Sequence, residues 1–223
     1  MTFDIITLFP DVFEDYFNSS IIGRAKKKGL IKIRVHDLRG FISKTRPDDR
    51  PYGGGPGMVI RAEPVIRAIE SALKIKNQKS KVKSKIILFS PAGKEFSGKM
   101  SVQLVKKYNR FVLIAGHYEG VDERIKKVLK DKGYKFDEIS IGNYVLTGGE
   151  LPAMVVVDAV SRKLKGVLGK IESLEEKRLG VGVPVYTRPE IFIHKGKRYS
   201  VPRVLLSGNH QDIEKWRVEH KKK

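Results

Sequence analysis

Apolar residues in this chain fall into short runs separated by amphipathic stretches. Phe3 to Phe9 alternates as a buried strand does, and Pro10 with Asp11 opens a helix over DVFEDYF. Ile21 to Lys28 continues as a helix or turn that Gly29 ends, and Ile31 to His36 reads as a second strand. Met58 to Ile60 is a short strand, followed by an amphipathic helix from Ala62 to about Ile75 with Val65, Ile66, Ile69 and Leu73 at helical spacing. Ile86 to Phe89, Phe111 to Ala115 and Phe136 to Ile141 are strand-like runs. Helices are predicted over Gly98 to Tyr108 and Leu151 to Leu164. Strands alternating with helices predict an α/β fold whose sheet is mostly parallel and covered on both faces.

Small residues mark where these runs stop. Ser90, Pro91, Ala92 and Gly93 form a turn after one strand, GHYEGVDER from Gly116 to Arg124 follows another, and ISIGNYVLTGGELPA spans Ile139 to Ala153. Taken alone, the last stretch is open to two readings. It is either a strand, a glycine turn and a helix, or a loop whose bare main chain grips a small ligand. Two such loops after neighbouring strands fit ligand binding at the carboxyl ends of an α/β sheet.

Gly40 to Gly57 is a long polar stretch ending in a glycine cluster that matches neither the dinucleotide nor the P-loop fingerprint. Arg46, Asp48, Asp49 and Arg50 within it are either RNA contacts or solvated charges. The lysine-rich KIKNQKSKVKSK is a connector, and Gly166 to Gly169 with KIESLEEKR reads as a linker at a domain boundary. Beyond it lie an extended segment, IFIHKGKRYSVP, with a turn at Lys195 and Gly196, and a terminal helix from about Gln211 to Lys223 with the only Trp, Trp216.

The chain has 223 residues, 40% of them hydrophobic, enough to bury a substantial core as one large domain or two smaller ones. Its 45 Lys and Arg against 25 Asp and Glu leave a formal charge of +20, which favours a phosphate-rich partner such as nucleic acid. With no Cys there are no disulfides, thiolate metal sites or cysteine nucleophile, and the five His are scattered without ligand spacing, so no tightly bound structural metal is predicted. MTFDIITLFPDVF carries acids where a signal peptide carries bases, and no apolar run is long enough to span a bilayer, which predicts a cytoplasmic protein without membrane contact.

The strings FDIITLFPDVF, DDRPYGGGPGM, GHYEGVDER, SIGNYVLTGGELPAMVVVDAVSR, VYTRPE and VPRVLLSGNH, spread over nearly the whole length, resemble the TrmD-type tRNA (guanine-N1)-methyltransferases of the SPOUT superfamily. The resemblance implies S-adenosylmethionine as methyl donor, guanosine 37 of tRNA as target, and a homodimer with each active site at the subunit interface. It also implies a SPOUT domain over 1–167 with a trefoil knot, a flexible linker over 168–178, and a small, mainly helical tRNA-binding domain over 179–223. The donor would be held by Ser90, Pro91 and Gly93, by Gly116, Tyr118 and Gly120, and by Ile141, Gly142, Asn143, Tyr144, Val145, Leu146, Gly148, Gly149 and Pro152.

Guanine N1 carries a proton, so its methylation needs a general base and a donor for the charge that develops on O6. Arg162 matches the family's essential arginine and is the expected O6 donor, with a structural ion pair to Asp158 at i and i+4 as the other reading. The family's Asp base in the interdomain segment is replaced by Lys177, which leaves Glu176, with Glu175 beside it, as the candidate base. Glu119 is expected near donor and base, with magnesium as a candidate ion. His117 stands where many members carry Arg, and Tyr118 either stacks on the base or packs. Two other functions remain open: a basic RNA-binding protein of the same fold with impaired catalysis, suggested by Lys177, and a SPOUT methyltransferase acting at another RNA site.

Overall fold

The computed structural model describes residues 1–42, 46–74, 82–169 and 182–221. The chain divides into two compact units, Met1–Leu168 and Gly169–Lys223.

Five strands build the sheet of the first unit: β1 (Thr2–Thr7), β2 (Lys32–Asp37), β5 (Ser84–Glu95), β6 (Arg110–Ile114) and β7 (Phe136–Ser140). Their spatial order is β2-β1-β6-β5-β7, and every neighbouring pair runs parallel. Because side chains alternate across a strand, the inner strands β1, β6 and β5 each feed two cores. Phe3, Ile5, Ile87, Phe89, Phe111 and Leu113 join one core, with Phe13 and Phe17, with Ile22 and Ala25 of α2 (Ser20–Lys27), Leu104 of α4 (Gly98–Lys107), and Ala153, Val156, Val157 and Val160 of α6 (Glu150–Ser161). Ile6, Ile86, Leu88, Val112 and Ile114 join the other, with Val65, Ala68, Ile69 and Ala72 of α3 (Ala62–Lys74) and Ile125 and Leu129 of α5 (Arg124–Asp131). Burial on both faces is why Ile86 to Phe89 and Phe111 to Ala115 read as continuous apolar runs.

A buried charged cluster interrupts that apolar sheet. Asp4, fully buried in β1, accepts from Arg34 at 2.6 and 2.9 Å, from Arg110 at 3.0 Å, and lies 2.9 Å from His36 Nε2. Burial pushes its carboxyl up, but the hydrogen bonds from His36 and Arg34 and the charge of Arg110 outweigh that and hold it at about 2. The cluster ties β2, β1 and β6 together across the sheet.

Several elements differ from their predicted extents. The first strand stops at Thr7, and a single turn of 3-10 helix, Pro10–Phe13, leads into α1 (Glu14–Asn18). Inside the long polar stretch, β3 (Asp48–Asp49) pairs antiparallel with β4 (Val59–Ile60). Helix α5 follows GHYEGVDER directly; its apolar positions are few, but Ile125 and Leu129 are fully buried. Helix α6 ends at Ser161, so Arg162 caps it rather than lying within it. The predicted turn at residues 90–93 proves to be a bulge inside β5, since Phe89 and Lys94 both pair with Ile139. Gly93 is required there, because a Cβ would run into the main chain of Glu138 and Ile139.

The second unit carries an antiparallel ribbon, β8 (Ile191–His194) with β9 (Lys197–Ser200), a 3-10 turn at Arg203–Leu206 and α7 (His210–Glu219). Asn209 caps α7 by accepting from the Gln211 N–H at 3.1 Å. Trp216 anchors this unit between Tyr186, at a ring separation of 6.2 Å, and His220, at 4.3 Å.

Candidate active site

The site is built where β5, β6 and β7 end. The bulge at residues 90–93 displaces Ser90 and Pro91 from the ladder, and the Ser90 hydroxyl accepts from the Ala92 N–H at 3.2 Å. After β6 the chain turns tightly, with Tyr118 at φ 58° and the Gly120 N–H donating to the His117 carbonyl at 3.0 Å. This turn is stitched to β4 through Glu119 N–H to Met58 O at 3.0 Å and Ile60 N–H to Gly120 O at 2.9 Å. After β7 the Ser140 hydroxyl donates to the Gly142 carbonyl at 2.8 Å, and the Tyr144 hydroxyl donates to the Ile141 carbonyl at 3.2 Å.

The second and third loops meet directly. His117 and Gly148 form an antiparallel bridge, and the Gly149 N–H donates to the Gly116 carbonyl at 2.7 Å. Gly149 lies so close to β6 that a Cβ would overlap the Ala115 Cα and the Gly116 nitrogen. Behind this contact, Glu150 at the first turn of α6 accepts the Thr7 hydroxyl at 2.8 Å, and its other oxygen is 3.7 Å from His117 Nδ1. A buried carboxylate at a helix N-terminus gains from the helix dipole, which helps it to hold the end of β1 against α6 here.

The loops enclose a cavity of about 240 Å³. Of the residues predicted to bind the donor, Ser90, Pro91, Gly116, Tyr118, Gly120, Ile141, Gly142, Tyr144, Val145, Leu146, Gly148, Gly149 and Pro152 line it, as does Glu119. Gly93 and Asn143 do not: Gly93 lies against β7 behind the bulge, and Asn143 is absent from the wall. Phe89, Ile139, Ser140, His117 and Thr147 line the cavity without having been singled out as donor contacts. Phe89 is the last paired residue before the bulge in β5, and Ile139 and Ser140 are the final two residues of β7, so extending the search back from each loop into its strand would have found them. The Glu119 carboxylate packs on Gly57, at the end of the glycine-rich stretch.

Arg162 stands apart from this cavity. Ten residues separate it from Pro152, about 15 Å along the helix axis. Its N–H closes the helix on the Asp158 carbonyl at 3.0 Å. The Asp158 carboxylate accepts the Tyr16 hydroxyl at 2.8 Å, and burial together with that carboxylate pushes the Tyr16 hydroxyl up to about 12. Glu176, Glu175 and Lys177 lie outside the described residues. Among the described residues no three His, Cys, Asp or Glu side chains gather as a metal-binding set.

A parallel, doubly covered sheet with a ligand-sized cavity among the loops at its strands' carboxyl ends defines an α/β protein with a small-molecule site. The family described as tRNA (Guanine-1)-methyltransferase TrmD matches residues 1–223, and the chain belongs to that family. It is 47% identical over 219 residues to a tRNA (guanine-N(1)-)-methyltransferase of Dictyoglomus turgidum, covering 96% of this chain and 82% of that one. Proteins of the same description from Citrifermentans bemidjiense and Moorella thermoacetica are 48% and 45% identical over 222 residues, each covering 97% of this chain and 83% and 84% of their own lengths.

Proposed function

We propose that the chain methylates N1 of guanosine 37 in tRNA with S-adenosylmethionine as donor. The observation that carries this reading is the full-length family match combined with a cavity made from the loops that the sequence resemblance implies for the donor. The wall fits such a ligand: Pro91, Ile139, Ile141 and Leu146 offer apolar surface to a nucleoside, and Gly116, Gly148 and Gly149 bring bare main chain within reach of its polar edges.

The bound donor supplies a methyl group on a sulfonium that leaves as a neutral thioether. The protein's task is at the acceptor. As the N1–methyl bond forms, the N1 proton must pass to a base, and density drawn onto O6 must meet a positive donor. Arg162 takes the second role and Glu176 the first, with Glu119 in the cavity wall beside the reacting groups. Magnesium, where the reaction uses it, would meet the Glu119 carboxylate first, and a chelator titration tests this.

The distance of Arg162 from the cavity supports a site completed by a second copy. Leu151 and Val155, one turn apart on α6, are 57% and 43% exposed, and Val12 and Tyr16 expose further apolar surface beside that helix. Leu151, Val155, Asp158 and Arg162 share one face of the helix or its immediate continuation. A homodimer packed on that face would carry Arg162 to the partner's cavity. We propose further that residues 116–120 and 141–149, which meet through the Gly149 N–H to Gly116 O bond, belong to a trefoil knot. The second unit is the part proposed to grip tRNA.

The test is methyl transfer to a tRNA transcript followed by mapping of the modified nucleotide. Methylation at N1 of guanosine 37 is the expected result, and a different nucleotide overturns the assignment. Lys177 at the expected base position favours one rival, an RNA-binding protein with impaired catalysis. Binding of tRNA without methyl transfer would establish that rival.

A further inference from the structure

The ribbon in the second unit is shaped in a way that the methyl-transfer chemistry leaves unexplained. Lys195 and Gly196 both take positive φ, 48° and 76°, the pattern of a two-residue type I′ turn, and they join a ladder that pairs Phe192 with Tyr199 and His194 with Lys197. A further bond, Val201 N–H to Glu190 O at 2.9 Å, continues the ladder at its base. Register then puts Phe192, His194, Lys197 and Tyr199 on one face. The contacts agree: Phe192 and His194 lie at 6.2 Å with planes 16° apart, Phe192 and Tyr199 at 6.3 Å, and the Lys197 ammonium sits 5.5 Å over the Tyr199 ring.

This face is open to solvent: Phe192 is 57% and Tyr199 47% exposed, and His194 and Lys197 are exposed as well. Large aromatic surface is costly to leave in water, and a two-stranded ribbon gains little of its own stability by displaying it. The charge around it is one-sided, with Arg188, Lys195, Lys197, Arg198 and Arg203 set against Glu190 alone between positions 188 and 203. Rings interleaved with cations on an exposed pair of strands are the recognition chemistry of unpaired nucleotides, whose bases stack while their phosphates pair with the lysines and arginines. A protein partner would satisfy the rings but not the excess positive charge, unless it were itself acidic.

We infer that the Phe192, His194 and Tyr199 face of this ribbon is a stacking platform for an unpaired base of the RNA substrate, with Lys197 on the same face holding an adjoining phosphate. The inference rests on the tRNA reading above and adds to it a contact made by side chains that the methyl-transfer chemistry does not use. Stacking needs a ring but no hydroxyl, so the residue type can be varied to separate it from simple apolar cover.

The experiment uses the full chain and an unmodified tRNA transcript, with affinity from fluorescence anisotropy and kinetics from methyl transfer. Phe192→Leu with Tyr199→Leu keeps apolar bulk and removes both rings. It should weaken RNA binding at least about ten-fold, raise KM for tRNA, and leave kcat at saturating tRNA and the affinity for S-adenosylmethionine unchanged. Phe192→Tyr with Tyr199→Phe should bind as the parent does. Lys197→Gln should lower the slope of log affinity against log salt by about 0.7, one contact to single-stranded phosphate. If the double leucine variant binds RNA within two-fold of the parent in a chain that still methylates tRNA, the platform is wrong while the enzyme assignment stands. A change in oligomeric state at unchanged RNA affinity would make the face a protein contact and also overturn it. A parent chain that neither binds nor methylates tRNA overturns both.

Discussion

Gly148 and Gly149 are adjacent, and a methyl group on either would meet different neighbours. At Gly149 the obstacles are the Ala115 Cα and the Gly116 nitrogen, main-chain atoms held in or next to the central strand β6. At Gly148 they are the ends of the Glu150 and His117 side chains, which can swing aside. Gly149→Ala should therefore push two loops apart, costing roughly 1–3 kcal/mol of stability and lowering S-adenosylmethionine affinity by about ten-fold or more in calorimetry. Gly148→Ala should cost clearly less by both measures. Equal losses would show that the loops are not positioned by the Gly149 contact.

A second residue-scale consequence lies away from the cavity, at Asp4. Its carboxyl is held at about 2 in the folded chain, against 3.8 for an ordinary aspartate. A folded pKa below the unfolded one stabilises the protein above pH 3.8 and ceases to do so as pH falls towards 2. The contribution at neutral pH is about 2 kcal/mol. Asp4→Asn should lose more than that, about 3–5 kcal/mol, because the buried Arg110 then lacks its carboxylate. Urea midpoints between pH 2 and 7 test both: the parent should weaken across the acid window more steeply than the variant. Parallel pH profiles would mean that the cluster does not titrate as described.

At the scale of elements, the local pattern carried most of the sheet. Phe111 to Ala115 announces a buried strand through its composition, and Val65, Ile69 and Leu73 announce a helix by their spacing, because each signal depends only on near neighbours in the chain. What the pattern did not carry was decided by distant partners. The strand character of Ser90 to Gly93 exists because β7 pairs on both sides of the bulge, and nothing local records that β7 passes there. Asn143 resembles its neighbours in sequence yet misses the cavity wall, since the turn closed by Ser140 and Gly142 sets which residues face inward. The same nonlocality makes a prediction for Gly93. Gly93→Ala would place a methyl group against the main chain of Ile139, so the bulge must open or the β5 to β7 pairing must slip. Thermal unfolding should shift down by several degrees, as expected for a cost of about 1–3 kcal/mol. S-adenosylmethionine affinity should fall with it, because Ser90, Pro91 and Ile139 share that corner of the cavity. A variant with lowered melting temperature but full donor affinity would uncouple the bulge from the site.

For the whole molecule, the decisive question is whether one chain holds a complete active site. The cavity opens at the start of α6 and Arg162 follows its end, and a straight helix of this length cannot fold that arginine back onto its own first turn. Two copies packed on the Leu151 and Val155 face would solve this by exchanging arginines. The arrangement can be tested by complementation. Arg162→Ala keeps a sound cavity without the arginine, and Gly149→Ala keeps the arginine with a damaged cavity; assayed with S-adenosylmethionine kept well below saturation, the first should be nearly inactive and the second should keep about a tenth of the parent's activity or less. Where the sites are shared, mixing the two after dissociation yields mixed dimers in which the cavity of the first chain meets the arginine of the second. Random pairing puts half the dimers in that state with one good site in two, so activity should return to about a quarter of the parent's. Were each chain to use its own Arg162, every site in the mixture would carry one defect and no activity would return. Recovery of activity on mixing therefore separates a shared site from a self-contained one, without requiring either variant to bind RNA less tightly than the parent.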